Sequence, residues 1–435
     1  MIKFYSCGEE FLLDNKEILD LYPLETSFYK LNSKSIDSFT RENYIFKLYD
    51  QESYLLVLHF EPYNLLLFGD KKFAKEASDI ICDYHLKFYG VLGDKELVDE
   101  FYERLIERRK VEPFLRHRMD MMYLENLKEY PTMSVVDAKE DDIDSLVKFM
   151  VEFQKECLHD PEPFEYSIRK KVTESYASYY VLKVDEEIVS VAELARVEEK
   201  IAAITSVYTL PIYRNKGYSR QVVSHICAEL IKQNKIPYLY VDKDNPISNH
   251  LYTKIGFIYG KSKYDIAHKK GNIDTLILAG GCFWCMSKPY YEIEGVTKVL
   301  SGYSGGKELF PTYELVKDHK TGHRESILIE FDNTKLSARE LLDTYFSSID
   351  PFDNSGQFID KGFNYTCAIF SDSDSVYYYY DKYKTRLEKE YNNPVYVDFL
   401  REQVFFKAEE YHQDYALKNP KEMEEELIAS GRIKK

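Results

Sequence analysis

The sequence lacks what would carry it through a membrane or into an oxidising compartment. No apolar run approaches the roughly 20 residues of a bilayer span. The N-terminal Met1-Ile2-Lys3-Phe4-Tyr5 has no long apolar region of the signal-peptide kind. Cysteine is sparse: seven residues, an odd number scattered along the chain, do not look like a disulfide framework. A reducing cytoplasm is the expected compartment. Positive charge is in deficit, with 58 Lys and Arg against 74 Asp and Glu and a net charge of -16. That balance argues against a nucleic-acid groove or an anionic membrane surface as the main partner.

What is present is a long globular chain. Its 435 residues are enough for about three domains, and 44% hydrophobic content supports ordinary cores. Residues 1–128 alternate strand and helix signals without a catalytic constellation. Tyr54–Leu58 and Asn64–Phe68 read as strands, and Leu97, Phe101 and Leu105 recur on a helix after Asp94. A basic stretch from Arg108 to Arg118 reads as a solvated helix face. The pattern restarts near Pro131. Residues 129–270 carry strands at Tyr179–Val184, Ile188–Glu193, Ile201–Leu210 and Tyr238–Val241. A short polar linker, Ala267 to Asn272, precedes a last domain over 272–435.

Between the strand ending at Leu210 and the next helix stands Arg214-Asn215-Lys216-Gly217-Tyr218-Ser219. A glycine-bearing turn at a helix start can present amides to phosphate. Val207-Tyr208-Thr209-Leu210-Pro211 precedes it, and Asn245, Ser248, Tyr252, Gly256 and Phe257 follow. Together these resemble the GNAT superfamily of N-acetyltransferases over roughly residues 130–268. The resemblance implies acetyl-CoA in a splay between two parallel strands. Arg214, Lys216, Gly217, Tyr218, Ser219 and Asn245 are the implied cofactor-binding residues. Tyr252 is the implied general acid for the departing thiolate, and Glu193 is a weaker match to a base. Residues 40–128 repeat the same element order without the loop, which suggests a degenerate lobe of the same kind.

The last domain is organised around Gly280-Gly281-Cys282-Phe283-Trp284-Cys285, after the apolar run Thr275–Ala279. The glycines allow a sharp turn. A helix start at Cys282 is expected to favour its thiolate. The chain's one tryptophan stands two residues later. Two cysteines at this spacing could also be half a zinc site, but only Cys367 follows, so no metal is expected. Ser337 and Glu340 form a capping-box pattern. Gly-Cys-Phe-Trp, Gly302-Tyr303-Ser304-Gly305-Gly306, Pro311-Thr312-Tyr313, Thr321-Gly322-His323-Arg324-Glu325, Asp360 with Tyr365, and Tyr411-His412-Gln413 then follow in order. This set resembles the peptide methionine-S-sulfoxide reductases (MsrA) over about 274–420.

That resemblance implies a set of roles. Cys282 is the nucleophile and becomes a sulfenic acid. Glu325 supplies a proton to the sulfoxide oxygen. Tyr313 and Tyr365 hydrogen-bond that oxygen, Asp360 belongs to the same pocket, and Phe283 with Trp284 holds the S-methyl group. The C-terminal recycling cysteines of many members are missing. Cys285 and Cys367 are both candidates to resolve the sulfenic acid, and direct reduction by an external thiol is the third possibility. Thioredoxin or a similar dithiol is the implied reductant, and oxidised proteins or peptides are the implied substrates. The expected fold is multidomain α/β and α+β: mixed sheets with helices, then a two-layer α+β sandwich. A rival reading keeps the transferase region as a non-catalytic acetyl-CoA- or partner-binding module.

Overall fold

A computed structural model of the chain describes residues 1–109, 111–157, 163–269 and 273–432. The first two-thirds forms a sheet of twelve strands. The first half supplies β1 (Ile2–Phe4), β2 (Tyr44–Tyr49), β3 (Tyr54–His59), β4 (Leu65–Gly69), β5 (Gly90–Gly93) and β6 (Glu112–Leu124). The second supplies β7 (Val135–Asp137), β8 (Tyr179–Val184), β9 (Glu187–Ala195), β10 (Ile201–Thr209), β11 (Ile236–Asp242) and β12 (Phe257–Lys269). Their order is β1-β2-β3-β4-β5-β12-β6-β11-β10-β9-β8-β7.

That order repeats itself from the two edges inward. In each half three antiparallel pairings are followed by one parallel pairing, β4 with β5 and β10 with β11. Both parallel pairs are brief. β10 and β11 pair only from Ile201–Ala203 and Ile236–Tyr238, then diverge into a splay. At the centre the halves exchange strands: β12 lies against β5, and β6 lies against β11. β6 and β12 themselves pair antiparallel from Phe257 opposite Leu124 to Lys269 opposite Glu112. One continuous sheet therefore runs across the seam at residues 128/129.

Two readings of this region change. The stretch Arg108–Arg118 is not one helix face. The helix Lys95–Arg109 ends there, and Arg116 and Arg118 lie on β6. Pro113 cannot donate inside a helix, and charge alone carries no period. Ala267 and His268 are not linker but the end of β12. Lys270, Gly271 and Asn272 lie outside the described residues.

The last domain holds a second sheet. Its strands are β13 (Ile273–Ala279), β14 (Val296–Ser304) and β15 (Arg324–Asp332), with β18 (Cys367–Phe370), β19 (Val397–Leu400) and β20 (Phe406–Lys407) after a small ribbon of β16 (Gly356–Gln357) and β17 (Asp360–Lys361). The order is β19-β18-β13-β15-β14-β20. Ile277, Leu278 and Ala279 are fully buried on β13, flanked by β15 and β18, which is why the run reads as unbroken apolar sequence. The helix Ala338–Ser348 opens with the expected box, Ser337 N–H donating to Glu340 at 2.9 Å. The mixed α/β and α+β organisation matches the expectation. No helix among the described residues is long and apolar enough to cross a membrane.

Candidate active site

Two places gather the polar residues singled out in the sequence. The first lies where β10 and β11 diverge. The helix Tyr218–Lys232 starts at Gly217, whose φ is +82°, and no side chain caps it. Its first amides, around Tyr218 and Ser219, are thus left to face an anion. The basic side chains do not share that duty equally. Arg214 is bidentate on Glu156, at 2.7 Å to each oxygen, and its Nε donates to the Thr209 carbonyl at 3.0 Å. Lys216 sits over the Tyr213 ring at 5.3 Å. Asn245 caps the helix Pro246–Ile255, accepting from the Ile247 and Ser248 amides at 3.2 and 3.3 Å. Tyr252 on that helix is buried, 5.8 Å from Phe257 between ring centres, and burial pushes its hydroxyl far above the usual range. Glu193 on β9 is buried and accepts from Ser206 Oγ at 2.7 Å and Thr205 Oγ1 at 3.2 Å, at an irregularity of β10.

The second site forms at the end of β13. Gly281 has φ +94°, and a Cβ there would meet Arg432 at 2.4 Å. A Cβ on Gly280 would meet Ile349 at 2.7 Å and Met286 at 2.9 Å. Only glycine lets the chain turn this tightly against its neighbours. Cys282 follows as the N-cap of the five-residue helix Phe283–Ser287. The Cys282 and Cys285 sulfurs and a Glu426 carboxylate oxygen lie within 4.8 Å of one another.

Glu325 on β15 is 2% exposed, and its Oε2 accepts from the Phe283 amide at 3.1 Å. That bond sets the carboxyl beside the residue that follows the nucleophile. Burial pushes it up to about 8, and Asp360 adds to the shift, while the Phe283 amide and the Tyr365 hydroxyl oppose it. Near neutral pH it holds its proton. Tyr313 and Tyr365 are near enough to Glu325 and Cys282 for ionisation of either to raise both phenols. Burial, with those charges, pushes Tyr313 up to about 12. Burial raises the Asp360 carboxyl, and Arg432 and the nearby Cys282 amide draw it back down. Phe283 is buried, and Trp284 stacks on Tyr415 with centroids 3.9 Å apart.

One expectation is reversed. The Cys282 thiol is not held down as a thiolate. The neighbouring Cys285 sulfur and burial push it well above its ordinary value, and Glu325 adds to this only when ionised. A helix of five residues, with its start buried beside a carboxyl, does not offset those terms. Cys367, on β18, is buried in the same core but is not among the three ligand-type groups that converge at Cys282. Burial pushes its thiol up to about 12, with the nearby Tyr345 hydroxyl opposing the shift.

Residues 274–435 match the family model described as peptide methionine sulfoxide reductase. A peptide methionine sulfoxide reductase of Bacillus licheniformis is 44% identical over 156 residues, covering 35% of this chain and 86% of that protein. One from Lactococcus lactis is 45% identical over 150 residues, covering 34% of this chain and 82% of its own length. The chain belongs to the peptide methionine sulfoxide reductase family. Residues 144–257 match the acetyltransferase (GNAT) family model, so the chain joins a GNAT region to the reductase. A solved GNAT-family acetyltransferase of Colwellia psychrerythraea aligns at 11% identity and TM-score 0.40, over 62% of this chain and 98% of that one.

Several residues of the reductase site do not emerge from sequence reasoning. Glu409 accepts from the Tyr303 hydroxyl at 2.8 Å and from the Tyr313 amide at 2.9 Å, bracing the loop that carries Tyr313. His412, though quoted in its motif, has no assigned role. Its ring lies 4.5 Å from Tyr313 and 5.0 Å from Phe283. Arg432 donates to the Gly280 carbonyl at 3.2 Å and draws the Asp360 carboxyl down. The position of Glu409 two residues before Tyr411 was a usable signal. Nothing local marks Arg432.

Proposed function

We propose that the C-terminal domain reduces methionine-S-sulfoxide, in peptides and as the free amino acid, with Cys282 as the nucleophile. The observation that carries this is the buried, proton-holding Glu325 hydrogen-bonded to the amide next to Cys282. Glu325 gives its proton to the sulfoxide oxygen, which makes the sulfur electrophilic. Cys282 sulfur attacks, and its thiol proton passes to the Glu325 carboxylate. Tyr313 and Tyr365 steady the oxygen. The oxygen ends on Cys282 as sulfenic acid, and methionine leaves. Two electrons have moved from the cysteine sulfur to the substrate sulfur.

Cys285 is the resolving cysteine in this reading, supported by its thiol contact with Cys282. Its attack on the sulfenic acid forms a disulfide and releases water. An external dithiol such as thioredoxin then reduces the disulfide. Cys285→Ser is expected to leave the first turnover intact. Later turnovers with thioredoxin should slow at least about tenfold, on the scale of losing an efficient exchange partner. A quenched-flow time course separates the two phases. Undiminished recycling would move the role to Cys367 or to no cysteine. The free thiols suit a reducing cytoplasm.

The three-part division into 1–128, 129–270 and 272–435 is kept as a functional proposal. The first part is a lobe without the phosphate loop. The second holds acetyl-CoA. The uncapped helix start at Gly217 and the splay after Ala203 fit such a group. The amides of Gly217, Tyr218 and Ser219 would hold its phosphates, while Arg214 and Asn245 shape the loop and helix behind them. Acetyl-CoA supplies the acyl group for an amine. Tyr252 would protonate the departing thiolate. Tyr252→Phe should lower acetyl transfer or acetyl-CoA hydrolysis by about 10²-fold, the scale of a lost general acid. Acetyl-CoA binding, followed by calorimetry, should stay unchanged. Binding with no turnover in the parent protein would instead favour the non-catalytic module.

A further inference from the structure

The reductase loop that carries Tyr313 is gripped by the N-terminal lobe. Phe310 stands three residues before Tyr313 at φ +57°, a conformation that a bulky side chain rarely adopts. It is not there for burial, since it remains 41% exposed. What holds it is a set of rings. Its centroid lies 4.6 Å from Phe4, 5.6 Å from Tyr84 and 5.6 Å from Phe406, each tilted edge to face. Phe4 and Tyr84 belong to the N-terminal lobe and are themselves 5.5 Å apart. A cleft of about 440 Å³ runs alongside, lined on one side by Tyr84, His85 and Arg109 and on the other by Phe310 and Phe406.

The contact is anchored close by. Arg41 of the lobe is buried and ion-paired with half-buried Glu402 of the reductase, which also takes Lys87. Arg41 Nη2 donates to Thr275 Oγ1 at 3.2 Å, on β13, and its Nε donates to the His85 carbonyl at 2.7 Å. Removing one partner would leave the other charge poorly solvated at the contact between lobe and reductase.

From Phe310 the chain has little freedom before the site. Pro311 fixes its own φ and restricts Phe310 as its predecessor. Thr312 is extended, and Tyr313 begins the helix Tyr313–Lys317. The Tyr313 amide is then fixed to Glu409 at 2.9 Å. The ring box and Glu409 thus pin both ends of the segment that aims the phenol.

We propose that the N-terminal lobe is a positioning module for the reductase: the Phe4–Tyr84 rings clamp Phe310 and so set where the Tyr313 hydroxyl meets the sulfoxide oxygen. This rests on the role proposed for Tyr313. Phe4, Tyr84 and Phe310 are positioning residues, since none touches the reacting atoms. The lobe's lack of a phosphate loop is then no loss, because its task here is mechanical.

The test is a double-mutant cycle in the full chain, read as the first-turnover rate at saturating and subsaturating sulfoxide. Tyr84→Ala should slow the saturated rate about tenfold with little change in the half-saturating concentration, as expected for a misplaced catalytic group. Tyr84→Phe, which keeps the ring, should restore it. Phe4→Ala should reproduce the loss, and it serves if Tyr84→Ala does not fold. In a Tyr313→Phe background either alanine should cost less than about twofold, because the coupled effects do not add. A full tenfold loss in that background would overturn the clamp in favour of general destabilisation. So would an unchanged rate in both alanine variants while Tyr313→Phe alone is slow. An unchanged rate in Tyr313→Phe would instead remove the phenol's role, and with it the clamp.

Discussion

Cys282→Ser is expected to abolish reduction of methionine-S-sulfoxide, with the product of a single turnover falling below detection. The reason lies in the electron count. The sulfoxide sulfur must gain two electrons, and in this pocket only a cysteine sulfur can give them and accept the oxygen. A serine hydroxyl keeps the hydrogen-bonding reach but cannot be oxidised in this way. Cys285 should not substitute. It lies within the helix Phe283–Ser287, whereas Cys282 stands at the helix start, with the amide of its successor held by Glu325. Circular dichroism should be unchanged, since the replacement is nearly isosteric. A first-turnover product yield above a few per cent in Cys282→Ser would refute the nucleophile assignment.

Glu325→Gln carries the second large effect. The amide can still sit against the Phe283 N–H, but it has no acidic proton for the oxygen. A lost general acid costs about 10²–10⁴-fold, so the first turnover should slow by about 10²-fold or more while turnovers limited by thioredoxin slow less. The pH dependence gives an independent check. With its proton lost through about 8, Glu325 should give a first-turnover rate that is flat below that value and falls about tenfold per pH unit above it. In Glu325→Gln that fall should disappear. The same carboxyl also links stability to pH. Its folded value lies above its ordinary 4.5, so its contribution is complete below about 4.5 and is lost as pH rises through about 8. Glu325→Gln should therefore denature with a shallower loss of stability between those limits.

What the sequence shows about this molecule is governed by range. The turn into Cys282 is legible because its cause is local: two glycines in five residues, one at positive φ and both against side chains that admit no Cβ. The strand ends at Tyr179 and Val184 and the box at Ser337 and Glu340 are legible for the same reason. The exchange of β6 and β12 is not, because it pairs residues 112–124 with 257–269, and either half alone shows only a plausible strand. The charges on Arg116 and Arg118 conceal that strand further. A lowered Cys282 thiol does not follow from the helix start, because Cys285 beside it and burial outweigh one short helix. Arg214 was legible as a loop residue, but its pairing with Glu156, 58 positions away, was not. The role of the first lobe was likewise hidden, since the rings of Phe4 and Tyr84 meet Phe310 only in the folded chain.

The most direct test of the central claim, that oxygen passes to one sulfur beside a protonated carboxyl, is mass spectrometry of Cys282-containing peptides after one turnover without reductant. The parent protein should give a Cys282–Cys285 disulfide, and Cys285→Ser should give Cys282 as a sulfenic acid, read as its dimedone thioether. An unmodified Cys282 alongside released methionine, or oxygen found only on Cys367, would contradict it.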